Sequence, residues 1–256
     1  MENLFDISGK VALVTGGSRG IGEMIAEGYV KNGVKVYISA RKAEACNQTA
    51  DRLSEYGTCI SVPADLSTHA GMVKLVSEIR KHESQLDILV NNAGATWGAS
   101  FDEFPEAGWD KIMDINVKSP FFLTQALVDL LVAAGDHEDP ARVINIGSID
   151  GLHVSQLETY SYAASKAGII HLTRMMAKNL VKRHITVNAV APGPFESKMM
   201  AHTLATQGDE IRAANPRGRI GKPSDMAGVA IYLASEAGAY LNGVVIPVDG
   251  GMSQTI

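Results

Sequence analysis

The sequence is poor in the features that mark unusual proteins. Only two cysteines, Cys46 and Cys59, stand in 256 residues, too few for a disulfide framework or a thiolate metal cluster. The pairs His82-Glu83 and His137-Glu138 lack a second histidine three residues on; the H-E-x-x-H arrangement fails, and no metal is expected. Lysine and arginine (23) are outnumbered by aspartate and glutamate (28), for a net charge of -5. Broad attraction to nucleic acid or to an anionic membrane is therefore not expected. No run reaches the ~18 apolar residues that span a bilayer. Residues 1–10 carry early acids and no apolar stretch of signal-peptide length. The expectation is a cytoplasmic protein.

What the sequence has is alternation. Short β-branched runs occur at Val11–Thr15, 34–39, 58–62, 88–90, 142–146, 186–190 and 244–248. Several are apolar at consecutive positions, as in strands covered on both faces. Between them lie longer segments with helical spacing, including Gly20–Lys31, 42–56, 68–81, 109–133 and 160–183. This repetition predicts one domain over residues 1–256, an α/β, Rossmann-type, doubly wound parallel sheet of about seven strands with helices on both faces. Residues 192–219 break the rhythm, with three prolines and charges without a clear period. They follow the sixth strand, where ligand crevices form, and read either as a substrate lid or as a long surface loop.

The first strand runs into Gly16-Gly17-Ser18-Arg19-Gly20-Ile21-Gly22, and a helical pattern starts at once. Glycines let backbone approach a pyrophosphate closely, and a helix N-terminus adds free N–H groups and a positive dipole end. Placed between the first strand and first helix, the turn predicts a dinucleotide site. Roughly 20 residues on, an NAD site usually carries an acid for the ribose hydroxyl. Here the second strand ends in Ser39-Ala40-Arg41. Arg41, with Arg19 from the turn, suits a 2′-phosphate through paired charge-assisted bonds, so NADP(H) is the expected cofactor. Solvated surface arginines are the plainer reading.

Tyr162 and Lys166 open the long segment 160–183 four residues apart, on one helix face. A lysine cation lowers a tyrosine pKa from its usual ~10 and makes the pair a proton donor and acceptor near neutral pH. Many such pairs are plain surface contacts. Tyr160 has Ala164 at the fourth position and lacks the lysine. Ser148, after the fifth strand, is placed to hydrogen-bond a substrate oxygen, or to cap a turn. A hydrolase built on Gly147-Ser148, Asp150 and His153 lacks the G-x-S-x-G turn.

Taken together, these motifs resemble the short-chain dehydrogenases/reductases over nearly the whole chain. Thr15-Gly16 through Gly22 is similar to that family's cofactor turn, Asn91-Asn92-Ala93-Gly94 to its motif after the fourth strand, and Ser148, Tyr162 and Lys166 to its catalytic group, with Asn116 as the fourth member. The resemblance implies roles for each. Tyr162 would be the acid in carbonyl reduction, Ser148 would polarise the carbonyl, Lys166 would hold the nicotinamide ribose, and Asn116 would anchor a water. Cofactor contacts would come from Gly16, Ser18, Arg19, Gly20, Ile21, Gly22, Arg41, Asp65, Leu66, Asn92, Ala93, Gly94, Tyr162, Lys166, Pro192, Gly193, Phe195 and Ser197. Serine at 197 departs from the family's usual threonine. Within the family the pattern is similar to bacterial 3-oxoacyl reductases of the rhamnolipid-pathway type.

That kinship implies a small carbonyl or alcohol substrate, with an acyl-carrier protein or coenzyme A thioester as its carrier, a basic docking patch at Arg217, Arg219 and Lys222, and a homotetramer. Asp150 stands where a small or apolar residue is usual, an acid that would disfavour an anionic substrate. The alternatives are a sugar, polyol or cyclic-alcohol dehydrogenase with the same chemistry, and a cofactor-binding regulator without catalysis. Trp97 and residues 149–153 and 195–200 are expected to decide the substrate.

If Arg41 selects the cofactor, Arg41→Asp should lower the NADPH-to-NADH ratio of kcat/KM by about tenfold or more, since a charge-assisted pair is replaced by repulsion. Steady-state kinetics with both cofactors checks this; an unchanged ratio would remove Arg41 as the selector.

Overall fold

The structure, a computed structural model, describes residues 3–155, 157–197 and 200–255, with the His202 side chain left out. Of the residues expected to decide the substrate, Lys198 and Met199 lie outside the described residues.

The strands are β1 (Val11–Thr15), β2 (Lys35–Ser39), β3 (Cys59–Ser61), β4 (Ile88–Asn91), β5 (Ala141–Ile146), β6 (Ile185–Pro192) and β7 (Val245–Val248). They form a parallel sheet in the order β3-β2-β1-β4-β5-β6-β7. Every residue of β1, β4, β5 and β6 is buried, which is why these segments read as unbroken apolar runs. The order reverses between β1 and β4, where Ala12 pairs with Ile88 and Val14 with Val90. In open parallel sheets that reversal opens a crevice at the carboxyl ends.

Alternate strand residues feed two cores. Val14, Val36, Ile38 and Val90 pack with helices α1 (Gly20–Lys31), α2 (Ala43–Leu53) and α9 (Pro223–Ala234). Leu13, Tyr37, Leu89 and Val143 pack on the other face with α3 (His69–His82), α5 (Ser119–Ala126), α6 (Val128–Ala134) and α7 (Tyr160–Leu180). Both cysteines are free and buried, and burial raises their thiols, Cys59 to about 12. Among the described residues no single helix is long and apolar enough to cross a membrane.

Two segments differ from expectation. The single helix expected over 109–133 is three helices. It begins at α4 (Glu106–Met113), passes through a π turn at Asp114–Lys118 into α5, and bends again at Leu127 before α6. Apolar periodicity is continuous through these joints because Ile112, Leu123, Leu127 and Leu131 all reach core; the sequence pattern therefore hides them. Segment 192–219 contains a helix of 14 residues, α8 (Ala201–Ala214). It packs lightly, and its apolar face is too weak to register as a period.

Arg142 lies at the amino end of β5, opposite the crevice, and is 1% exposed. Its guanidinium donates to the carbonyls of Leu233 at 3.1 Å and Ser235 at 3.1 Å, and pairs with Asp139 at 3.0 Å. It therefore ties the sheet to the end of α9. Arg142→Met should lower unfolding stability by about 2–4 kcal/mol, because two buried carbonyls lose their donor. Denaturant unfolding measures this; a change below about 0.5 kcal/mol would show that water replaces the guanidinium.

Candidate functional site

The crevice begins with the turn between β1 and α1. Gly16 has φ +64, and a Cβ on Gly22 would lie 2.4 Å from both the Gly16 carbonyl oxygen and Asn92 Nδ2, so both positions need glycine. Asn92 makes the turn's scaffold: its Nδ2 donates to the carbonyls of Thr15 at 2.8 Å and Gly16 at 3.2 Å. The Thr15 hydroxyl donates to Val90 O at 3.1 Å and accepts from the backbone N–H groups of Asn92 and Ala93 at 2.9 and 3.0 Å. One threonine and one asparagine thus staple the carboxyl ends of β1 and β4 together. Thr15 was quoted in the motif but not expected as a site residue; its place as the last residue of β1 was the signal.

The turn fits a dinucleotide. Among the described residues no side chain caps the first turn of α1, where Arg19 is the extended N-cap residue, which leaves its first N–H groups available to an anion. At the end of β2 the Ser39 hydroxyl is buried without a partner among the described residues. Arg19 and Arg41 are exposed, and neither forms an ion pair among the described residues. Ser18 lends its carbonyl to Thr49 Oγ1 at 3.0 Å, fixing the turn on α2. Ile21 packs partly buried on the core.

The other expected cofactor residues follow the carboxyl ends of β3, β4 and β6. Asp65 holds the chain before α3, accepting from Ser67 N at 3.0 Å and Ser67 Oγ at 2.7 Å, beside buried Leu66. Gly94 approaches Asn116 so closely that a Cβ would sit 3.0 Å from Asn116 Oδ1, while Ala93 packs partly buried. Beyond Pro192, the last residue of β6, Gly193 N donates to Val248 O at 3.0 Å. Phe195 is buried against Gly221, and a Cβ on Gly20 would lie 3.2 Å from Ser197 Cβ. The loop after β6 therefore closes over the glycine turn.

Ser148, Tyr162, Lys166 and Asn116 converge at the carboxyl end of β5. Lys166 is 6% exposed, and its Nζ donates to Ile146 O at 2.8 Å. That bond draws α7 onto β5 and sets Tyr162, one helical turn earlier, beside the Ser148 hydroxyl. Asn116 lies in the π turn, a distortion frequent at functional sites. Its side chain accepts from Ala95 N at 3.0 Å and donates to Ala95 O at 3.0 Å and Ser165 Oγ at 2.9 Å. Ser165 in turn donates to Tyr162 O at 2.7 Å. Tyr160 is turned away, its hydroxyl on Glu158 at 3.1 Å and its ring against Phe101 and Phe104.

The electrostatics correct one expectation. Tyr162 is pushed up to about 12, first by burial, against the favourable Ser148 hydroxyl and with the Asp150 charge adding to the rise. Lys166 does not bring it down: its ammonium faces the Ile146 carbonyl and lies 5.5 Å from the Tyr162 ring centroid. Burial lowers Lys166 itself to about 8, opposed by Asp150. The phenol is therefore held protonated at neutral pH, a proton donor with no ionised population to speak of.

Sequence reasoning missed the buried polar ladder beneath this group. Asn91 Nδ2 donates to Asn145 Oδ1 at 2.9 Å and Thr124 Oγ1 at 3.2 Å, and Asn145 Nδ2 donates to Thr173 Oγ1 at 2.9 Å. Asparagine at strand positions that are otherwise apolar was its trace in the sequence. Among the described residues no cluster of three or more metal-ligating side chains occurs.

A family model described as enoyl-(acyl carrier protein) reductase matches residues 16–253. The chain is 50% identical over 254 residues to the rhamnolipids biosynthesis 3-oxoacyl-[acyl-carrier-protein] reductase of Pseudomonas aeruginosa, covering 98% of this chain and 99% of that protein. It is 35% identical over 252 residues to the 2-dehydro-3-deoxy-D-gluconate 5-dehydrogenase of Dickeya dadantii, covering 97% of each. The solved Pseudomonas aeruginosa RhlG/NADP active-site complex superposes with a TM-score of 0.95 at 49% identity, over 99% of this chain and 100% of that one. With the glycine turn, the Asn91–Gly94 segment and the Ser148, Tyr162 and Lys166 group on the expected elements, the chain belongs to the short-chain dehydrogenase/reductase family.

Proposed function

We propose that this protein is an NADP(H)-dependent ketoreductase, interconverting a carbonyl and a secondary alcohol, with a 3-oxoacyl thioester as its substrate. The observation that carries the reading is the Tyr162 phenol set beside the Ser148 hydroxyl, with buried Lys166 one helical turn on and anchored on Ile146 O. The rhamnolipid-pathway reductase at 50% identity supports the acyl substrate, and the NADP in the RhlG complex supports the cofactor. The glycine turn would take the pyrophosphate, with Arg19 and Arg41 on the 2′-phosphate, Asp65 and Leu66 on the adenine side, and Phe195 and Ser197 near the carboxamide. When bound there, NADPH would supply the hydride.

The chain's own groups do the rest. Ser148 orients the carbonyl oxygen and stabilises the charge that gathers on it. Tyr162 transfers its phenolic proton to that oxygen as the carbonyl carbon becomes tetrahedral. Lys166, held on the Ile146 carbonyl, would hold the nicotinamide ribose. Asn116 holds the Ala95 backbone and Ser165, fixing the wall behind the reacting atoms.

The same proposal places the protein in the cytoplasm as a one-domain enzyme, with residues 192–219 as its lid and four copies assembled through α5 and α7. Exposed Phe122, Met175 and Val181 on or beside those helices support the assembly. For carrier docking, Arg219 is committed to Asp225 at 2.6 Å, leaving Arg217 and Lys222. A second reading, oxidation of a sugar acid, is favoured by the gluconate-type relative and uses the same residues.

NADPH oxidation with a panel of 3-oxoacyl thioesters and keto-sugar acids tests the reading; no turnover on any ketone would refute it in favour of a regulator. Tyr162→Phe should keep NADPH binding and lower kcat by about 100-fold or more, while Tyr160→Phe stays within a few-fold; a collapse in the second would move the proton donor. Alcohol oxidation needs the phenolate, so its kcat/KM should climb as pH rises from 7 toward 10, while ketone reduction loses its donor only as the raised Tyr162 pKa is approached. A loss of reduction near pH 8 would report Lys166, held at about 8, whereas a reduction rate that is pH-independent from 9 to 11 fits the Tyr162 donor raised to about 12, and a second fall within that range would overturn it.

A further inference from the structure

We propose that the Asp150 carboxylate sets the charge selectivity of the substrate pocket, admitting neutral ketones and turning away ketones that carry a carboxylate. The inference rests on the ketoreductase reading and decides between its two substrate classes.

The placement comes from two fixed points. Ser148 leaves β5 in extended backbone and caps the short 3₁₀ turn Ile149–Gly151, its Oγ accepting from Asp150 N at 3.1 Å. The other end of the turn is pressed onto α7: a Cβ on Gly151 would lie 2.6 Å from the carbonyl carbon of Lys166. Asp150 is thus held between the serine that faces the phenol and the helix that carries the phenol and the ammonium. No lysine or arginine among the described residues forms an ion pair with it. The groups that act on it are Ser155, by a side-chain hydrogen bond, and His153, by its charge, in its own loop, and the Lys166 charge on α7; its own charge acts in turn on Tyr162.

Burial raises the Asp150 carboxyl above the usual range, with His153, Lys166 and Ser155 favouring its charged form. Its charge reaches both Tyr162 and Lys166. A ketone whose oxygen sits at Ser148 and Tyr162 lies in the same field. At an effective dielectric of about 20, two like charges ~7 Å apart repel enough to change a rate by roughly 50-fold. Lys166, anchored on Ile146 O, keeps its charge and offsets part of this field, so the selectivity expected is nearer tenfold than 50-fold. A neutral 3-oxoacyl chain meets no such repulsion, whereas a hexonate brings its carboxylate into the field.

The test compares ethyl acetoacetate with acetoacetate, the same 3-oxo group without and with a negative charge, using NADPH and the full-length protein. The readout is the ester-to-acid ratio of kcat/KM within each enzyme, so a general loss of activity cancels and the intrinsic reactivity of each ketone is common to all. Wild type should favour the ester by about tenfold. Asp150→Asn and Asp150→Ala should each reduce that ratio by about tenfold, which a purely structural role for the turn would not do. A ratio near one in wild type overturns the inference whether or not the variants fold. An unchanged ratio in either folded variant overturns it too. If wild type reduces neither ethyl acetoacetate nor any 3-oxoacyl thioester, the ketoreductase reading falls and takes the inference with it; reduction with an unshifted ratio sinks the charge selectivity alone.

Discussion

The bond from Lys166 Nζ to the Ile146 carbonyl is the constraint on which the site's geometry hangs. An ammonium with almost no exposed surface needs an acceptor, and the one it finds is the last carbonyl of β5. Because Ser148 follows that carbonyl by two residues and Tyr162 precedes Lys166 by one helical turn, satisfying the lysine also brings the phenol to the serine. The chemistry is assembled by a structural necessity: a buried donor that must be paired.

The two halves of the crevice are built differently. On the side of β1, function is given to backbone, and side chains such as Thr15 and Asn92 serve only to hold that backbone in a shape that accepts phosphate. On the side of β5, function is given to side chains, and backbone carbonyls serve as their anchors. The Asn91, Asn145 and Thr173 ladder joins the halves through the sheet, each amide spending its donors on a neighbour. Polar groups buried at this depth fix register where apolar packing alone would tolerate a shift.

Much of this was legible in the sequence. The parallel strands announced themselves as consecutive apolar runs, since both faces are covered, and Gly20–Lys31 appeared residue for residue because a glycine turn marks its start. Tyr162 was separable from Tyr160 by the lysine alone. The sequence could not show that Asn116 sits on a distortion, because apolar spacing runs unbroken through it. It could not show α8, whose few inward contacts leave no period. It also misjudged the phenol: spacing brings an ammonium near the ring, but only coordinates reveal that the charge points at a carbonyl and that burial dominates. Nor could it show that Arg142, at the start of the fifth apolar run, reaches the carbonyls of Leu233 and Ser235 at the end of α9.

The π turn at Asp114–Lys118 accommodates one more residue than an α-helix would in the same length. One residue in an α-helix is about 100° of rotation, so α4 and α5 stand out of phase by that angle. Ile112 and Leu123, eleven residues apart, would lie within about 20° of one another on a regular helix, so their burial does not need the wider turn; its effect falls on Asn116, whose side chain is held on Ala95 and Ser165. A single added residue therefore marks the place of the polar clamp, where apolar spacing alone would have carried an ordinary helix straight through.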